Sequence, residues 1–199
     1  TYNSIYGNNI ANNEYGIRLD SFSDINNIYR NNITANNYIG INLYYSDNNA
    51  IFGNNITANG VSGFYIWYST KNRIYRNHIA TNIQDGIELP WSSNNSIFEN
   101  NIETNNQNGI FGGGSSNNSI FRNEISANGW NGINLFRSPN NVISENNITA
   151  NNKYGIAISE SSNTRIYHNN FVNNIRQVLV DSANVWDDGY PSGGNYWSD

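Results

Sequence analysis

One interval governs this chain: isoleucine returns every 23 residues. Ile28, Ile51, Ile74, Ile97, Ile120, Ile143 and Ile166 form one unbroken column, and Ile33, Ile56, Ile79, Ile102, Ile125, Ile148 and Phe171 form a second. Glycine keeps the same interval at Gly40, Gly63, Gly86, Gly109, Gly132 and Gly155. A fixed period of this size marks a stack of like units, none of which can bury its apolar face alone. The first unit, "NSIYGNNIANNEYGIRLDSFSD", repeats the pattern with Gly16 displaced by one, and about eight units carry the chain to residue 181.

A unit of this length can be a leucine-rich repeat, a helical hairpin or one coil of a β-solenoid. Apolar residues do not recur at three and four, and the asparagine and glycine content opposes helix, so the hairpin is excluded. The leucines of a leucine-rich repeat are missing. What remains is three short strands per coil, read in residues 116–138 as Ser-Ile-Phe, Glu-Ile-Ser-Ala and Gly-Ile-Asn-Leu, separated by asparagine-rich bends. The expected fold is all-β: a single-stranded parallel β-helix, a solenoid of about eight 23-residue coils over residues 1–181, each paired in register with the next. Residues 182–199 break the repeat and bring Trp186, Tyr190, Pro191, Tyr196 and Trp197, which predicts a cap of the same domain folded over the last coil. Thr1 opens directly on a coil and is no initiator methionine. A processed or excised piece is expected, with upstream residues removed or that end docked on another molecule.

Asparagine supplies 46 of 199 residues. Such a composition suggests disorder only when charge is high, and here 13% is charged while 14% is aromatic, so the chain folds. In a coil stack each residue sits ~4.8 Å from its counterpart, and asparagine, with donor and acceptor on one amide, passes hydrogen bonds from coil to coil. It also tolerates left-handed backbone at bends. Two unbroken columns, Asn8 to Asn169 through Asn31, Asn54, Asn77, Asn100, Asn123 and Asn146, and Asn36 to Asn174 through Asn59, Asn82, Asn105, Asn128 and Asn151, are therefore read as inward corner ladders. The asparagines at the remaining bends are read as serving mostly turn geometry.

These units resemble the asparagine-rich parallel β-helix repeat of NosD-like proteins and the wider pectin-lyase-like group, and the ending "WDDGYPSGGNYWSD" is similar to that of archaeal cell-surface repeat proteins. The resemblance spans essentially the whole chain. It implies a right-handed helix and an extracellular or cell-surface, carbohydrate-associated setting, but no one activity, since binding, structural and enzymatic proteins share this repeat.

Excluded partners follow from charge. A net charge of -5, a pI near 4.9 and ten scattered Lys and Arg leave no basic stripe, so nucleic acid is not a partner. No apolar run reaches membrane-spanning length. Cysteine is absent, which rules out disulfides and thiolate metal sites. The NosD resemblance implies copper, yet methionine is also absent, and His78 and His168 fall in different columns ~19 Å apart. No cofactor, metal or catalytic residue is assigned. Asp20, Asp24 and Asp47 gather near one bend, where oxygen ligands for a cation compete with the plainer reading of a solvated turn. The alternating Arg76, Glu99, Arg122 and Glu145 are taken as a register device, and sequons at Asn32, Asn55, Asn94, Asn117 and Asn147 mildly support export.

The outward columns carry the functional expectation. Next to the first isoleucine stand Tyr6, Tyr29, Phe52, Tyr75, Phe98, Phe121 and Tyr167, with Ser144 the one break; alternation points them outward as an exposed aromatic ridge. On the third strand a second cluster gathers Tyr44, Tyr65, Trp67 and Phe136, with Tyr45, Tyr68 and Trp91 at the adjacent bend. Sugar rings stack on such faces and asparagine amides bond hydroxyls, while the plainer alternative is stacking that merely stabilises the sheet. The leading reading is a cell-envelope or extracellular structural β-helix, more a binder than an enzyme, whose aromatic faces hold polysaccharide or neighbouring subunits. The alternative is a carbohydrate-active enzyme of polysaccharide lyase or epimerase type with a weakly marked or missing catalytic part. An ice-binding face fails on its interrupted threonines.

Overall fold

The computed structural model describes residues 2–198; the expectation placed on Thr1 lies outside them. All 25 elements among those residues are strands, and every strand pair is parallel. Three sheets run the length of the molecule, with eight, nine and eight strands. The first stacks three-residue strands from Ser4–Tyr6 to Arg165–Tyr167, the second from Asn9–Ala11 to Asn170–Val172, and the third from Tyr15–Leu19 to Arg176–Val180. Register sets like on like: Ile74 faces Ile51 on one side and Ile97 on the other, and Ile79 faces Ile56 and Ile102. The shifted glycine of the first unit is absorbed in a bend, since Ile17 still faces Ile41.

The period exists because each strand contributes one or two inward side chains. The two isoleucine columns are wholly buried and meet Ile41, Leu43, Phe64, Ile66, Ile87 and their counterparts from the third sheet in one continuous core. Each such residue contributes roughly 1.5–3 kcal/mol of apolar burial. The glycine column is set by space. A Cβ on Gly109 would stand 2.7 Å from the Gly132 carbonyl oxygen, 2.7 Å from Ile125 Cγ2 and 3.0 Å from Asn128 Nδ2.

Both expected asparagine ladders are present and turn inward. The Asn100 N–H and Nδ2 each donate to Asn123 Oδ1 at 3.0 Å, Nδ2 also reaches the carbonyls of Ile74 and Phe98, and Asn100 Oδ1 accepts from Asn77. The first ladder continues into the final segment at Asn195, and the second begins a coil earlier, at Asn13. A third was not foreseen. Asn26, Asn49, Asn72, Asn95, Asn118 and Asn141 are buried, and the backbone N–H of each of the first five donates to the side chain of the next. A serine ladder from Ser46 to Ser161 runs beside it. Asparagines assigned to turn geometry are therefore partly structural, because a bend repeated at coil spacing also aligns its side chains.

After Asp181 the chain turns back across the end. Val185 bridges to Arg165, Tyr196–Ser198 pairs alongside Asn170–Val172, and Trp197 stacks on Phe171 at 4.5 Å. Trp186 packs against the core, whereas Tyr190 is fully exposed and covers nothing.

Candidate functional site: an aromatic groove on the third sheet

Inward Ile41 and Leu43 force Asn42 and Tyr44 outward, and register repeats that choice in every coil. The outward column nearest the middle of the sheet reads Arg18, Asn42, Tyr65, Glu88, Phe111, Asn134, Ala157. From Arg18 to Phe111 it forms the floor of a groove along the stack. One wall is aromatic: Tyr44 lies 5.0 Å from Trp67, and Tyr45, Tyr68 and Trp91, all with left-handed backbone at one bend, stack at 5.1 and 5.7 Å. Opposite the first coils, Tyr15 and Tyr38 meet edge to face at 5.4 Å. Between these walls are two hollows of about 410 Å³ each, one bordered by Tyr38, Asn42, Tyr44 and Trp67, the other by Glu88, Trp91, Phe111 and Phe136; both touch Tyr65.

Five of the seven third-strand candidates, Tyr44, Tyr65, Trp67, Trp91 and Phe136, border these hollows, while Tyr45 and Tyr68 line neither and stack beside Trp67 and Trp91. Tyr45, Tyr68, Trp91 and Phe136 are exposed, while Tyr44, Tyr65 and Trp67 are half-buried. The long ladder differs from its expectation. Tyr6, Tyr29, Phe52, Tyr75, Phe98 and Phe121 form one face-to-face stack with centroids 4.9–5.0 Å apart, so Tyr6 alone is exposed and the others are half-buried. Coil height equals ring spacing, and the faces are spent on each other. Ser144 ends the stack, leaving Tyr167 against His168.

Sequence reasoning singled out Asp20, Asp24 and Asp47 but not Glu88, which borders the second hollow, nor Asp85, buried on the same coil. Burial first, and then the charge of Asp85, push the Glu88 carboxyl up to about 7, against a 3.3 Å hydrogen bond donated by Ser62 Oγ. Burial pushes Asp85 up to about 6, although the Asn108 N–H and Nδ2 both donate to its Oδ1 at 2.8 Å. The Tyr65 phenol is raised by burial, then by Glu88. For Tyr65 and Glu88 the signal was available, since they share one outward column. Other polar clusters have structural work. Asp24 and Asp47 accept backbone N–H bonds one coil on, Asp20 pairs with Arg18, and Arg76–Glu99 and Arg122–Glu145 are exposed ion pairs at 2.7 Å. In the C-terminal segment, Ser192 Oγ reaches both His168 Nε2 and Asp188, but among the described residues no carboxylate orients that imidazole, so no triad forms there.

Against this geometry, the family model described as "Periplasmic copper-binding protein (NosD)" matches residues 1–85 and 78–199. The chain belongs to the NosD family. No curated protein matches it. Among solved structures, a double mutant of the periplasmic alginate epimerase AlgG is similar at 25% identity and TM-score 0.73, over 83% of this chain and 39% of that one. The A-module of a mannuronan C-5 epimerase from Azotobacter vinelandii (17%, TM-score 0.75, 94% and 58%) and the enzymatically active domain of bacteriophage CBA120 tailspike protein 2 (16%, TM-score 0.78, 92% and 37%) share the fold. This chain therefore spans between about a third and three-fifths of those molecules.

The family description names copper, and the residues here do not fit that ion. Methionine and cysteine are absent, His78 Nδ1 faces Asn101 and Glu103, and His168 faces Ser192. No three His, Cys, Asp or Glu side chains converge among the described residues. No helix among them is long and apolar enough to cross a membrane.

Proposed function

We propose that this NosD-family chain is a cell-envelope or extracellular β-helix that binds a glycan in the third-sheet groove. The observation that carries the reading is the pair of hollows that share Tyr65, one walled by Tyr44 and Trp67 and the other by Trp91 and Phe136. Apolar walls with a few fixed polar groups on the floor are the usual make-up of a small-ligand site. A pyranose offers C–H faces to the rings and hydroxyls to Asn42 and Glu88. The setting is consistent with a family described as periplasmic and with neighbours named as alginate epimerases and a pectate lyase. The six-ring stack, with its faces consumed, serves the solenoid.

Binding of the chain and of its Trp67→Ala and Trp91→Ala variants to a glycan array tests the proposal. Each substitution is expected to weaken binding by at least about tenfold, the loss of one stacked ring in a desolvated site. Silence across the array, with concentration-dependent assembly instead, would leave a structural role. Unsaturated products released from a uronate polymer would make the chain an enzyme.

A further inference from the structure

The charges and polar atoms of the groove narrow the class of glycan, an inference that rests on the glycan reading above. Two cations border the hollows, and both are engaged. Arg18 Nε bonds Asp20 Oδ1 at 2.9 Å with its guanidinium 5.0 Å from the centre of the Tyr15 ring. Arg137 Nε bonds Glu160 Oε2 at 2.8 Å and lies 4.8 Å from the Phe136 ring centre. The floor column between them holds one ionisable acid, Glu88, with buried Asp85 on the same coil. A polyuronate carries a carboxylate on every sugar, and a chain laid along the groove brings successive carboxylates past Glu88, an anion once pH exceeds about 7, with no unpaired cation facing them. In a partly desolvated groove that repulsion is weakly screened.

The first hollow adds a second observation. Asn42 is only 8% exposed, and its Oδ1 makes no hydrogen bond within the chain; Trp67 Nε1 makes none either. Both side chains border this hollow. One atom accepts and the other donates. A hydroxyl can answer both, because it carries a proton and lone pairs, whereas a carboxylate accepts only; sugars of either class offer hydroxyls here, so these atoms call for a glycan and the charge at Glu88 separates the classes. Buried polar atoms without partners are costly, so a ligand that satisfies them is favoured.

We infer that the groove takes a neutral glycan, reading hydroxyls through Asn42 and Trp67, and disfavours polyuronates. Retardation of the full chain at about pH 8, where Glu88 is ionised, in native gels cast with mannan, xylan or mixed-linkage β-glucan, against gels cast with alginate or polygalacturonate, tests this. At least one neutral polymer is expected to bind at least about tenfold more tightly than either polyuronate. Glu88→Lys should close most of that gap by raising polyuronate affinity, and Asn42→Leu should weaken neutral binding by about tenfold. Circular dichroism of both variants separates loss of binding from loss of fold, and the wild-type preference stands as a test if either misfolds. Polyuronate bound as tightly as the best neutral polymer, or more tightly, overturns the inference and leaves the glycan site in place. Binding to neither class overturns the glycan reading and this inference with it.

Discussion

An acid on an outward column would ordinarily be solvated, but Glu88 is held among Ser62, Tyr65 and Asp85, and its carboxyl rises from 4.5 to about 7. Asp85 rises from 3.8 to about 6. A raised pKa means that the folded chain binds the proton more tightly than the unfolded chain. The stabilisation is complete below the unfolded values and is lost as pH rises through about 6 and about 7. Urea denaturation should therefore show the chain less stable at about pH 8 than at about pH 5, by roughly 2 kcal/mol after allowance for the partial exposure of Glu88. Glu88→Gln should remove much of that slope. An unchanged slope in the variant would place the proton linkage elsewhere.

Three-residue strands have no independent stability, so each element stands only through its neighbours above and below. Backbone pairing, the asparagine ladders and the ring stack all repeat at coil height, and each stacked ring pair adds ~0.5–1.5 kcal/mol. The third strand also demands glycine where it enters the sheet. Gly109→Ala should cost about 1–3 kcal/mol or more, because its new methyl meets a carbonyl oxygen, an isoleucine and a ladder amide at once. Gly53→Ala has open space but a φ of +63°, and should cost about 1–2 kcal/mol through backbone strain alone. Equal stability of Gly109→Ala and the parent, measured by denaturant midpoint, would show that the ladders yield more readily than their spacing implies.

For the whole molecule, stability is close to a sum of coils and coil–coil interfaces. Deleting residues 140–162, one full period of 23, joins Pro139 to Asn163 and returns like columns to like. That shortened chain should keep its β circular dichroism per residue, unfold in one transition at a modestly lower temperature, and retain the first hollow. Deleting one residue fewer, from within a strand, turns inward isoleucines outward and should abolish folding, since side chains alternate with a period of two. Survival of the out-of-register deletion would mean that the bends absorb slips as freely as the first coil absorbs its displaced Gly16.

Much of this architecture was legible without coordinates because a solenoid maps sequence period directly onto space. The isoleucine, glycine and asparagine columns each name their own neighbours, and the aromatic residues of the third strand fell on one face for the same reason. Arg18, Asn42, Tyr65 and Glu88 share a column that the same reading would have reached, but aromatic side chains drew attention away from it. Periodicity could not say how deep an outward side chain lies. Depth depends on what stands beside it: the six rings of the first sheet close on one another, while Asn42 and Glu88 are enclosed by rings and acids from other positions. Which outward atoms lose water, and so acquire a raised pKa or an unmet hydrogen bond, was decided by packing in three dimensions.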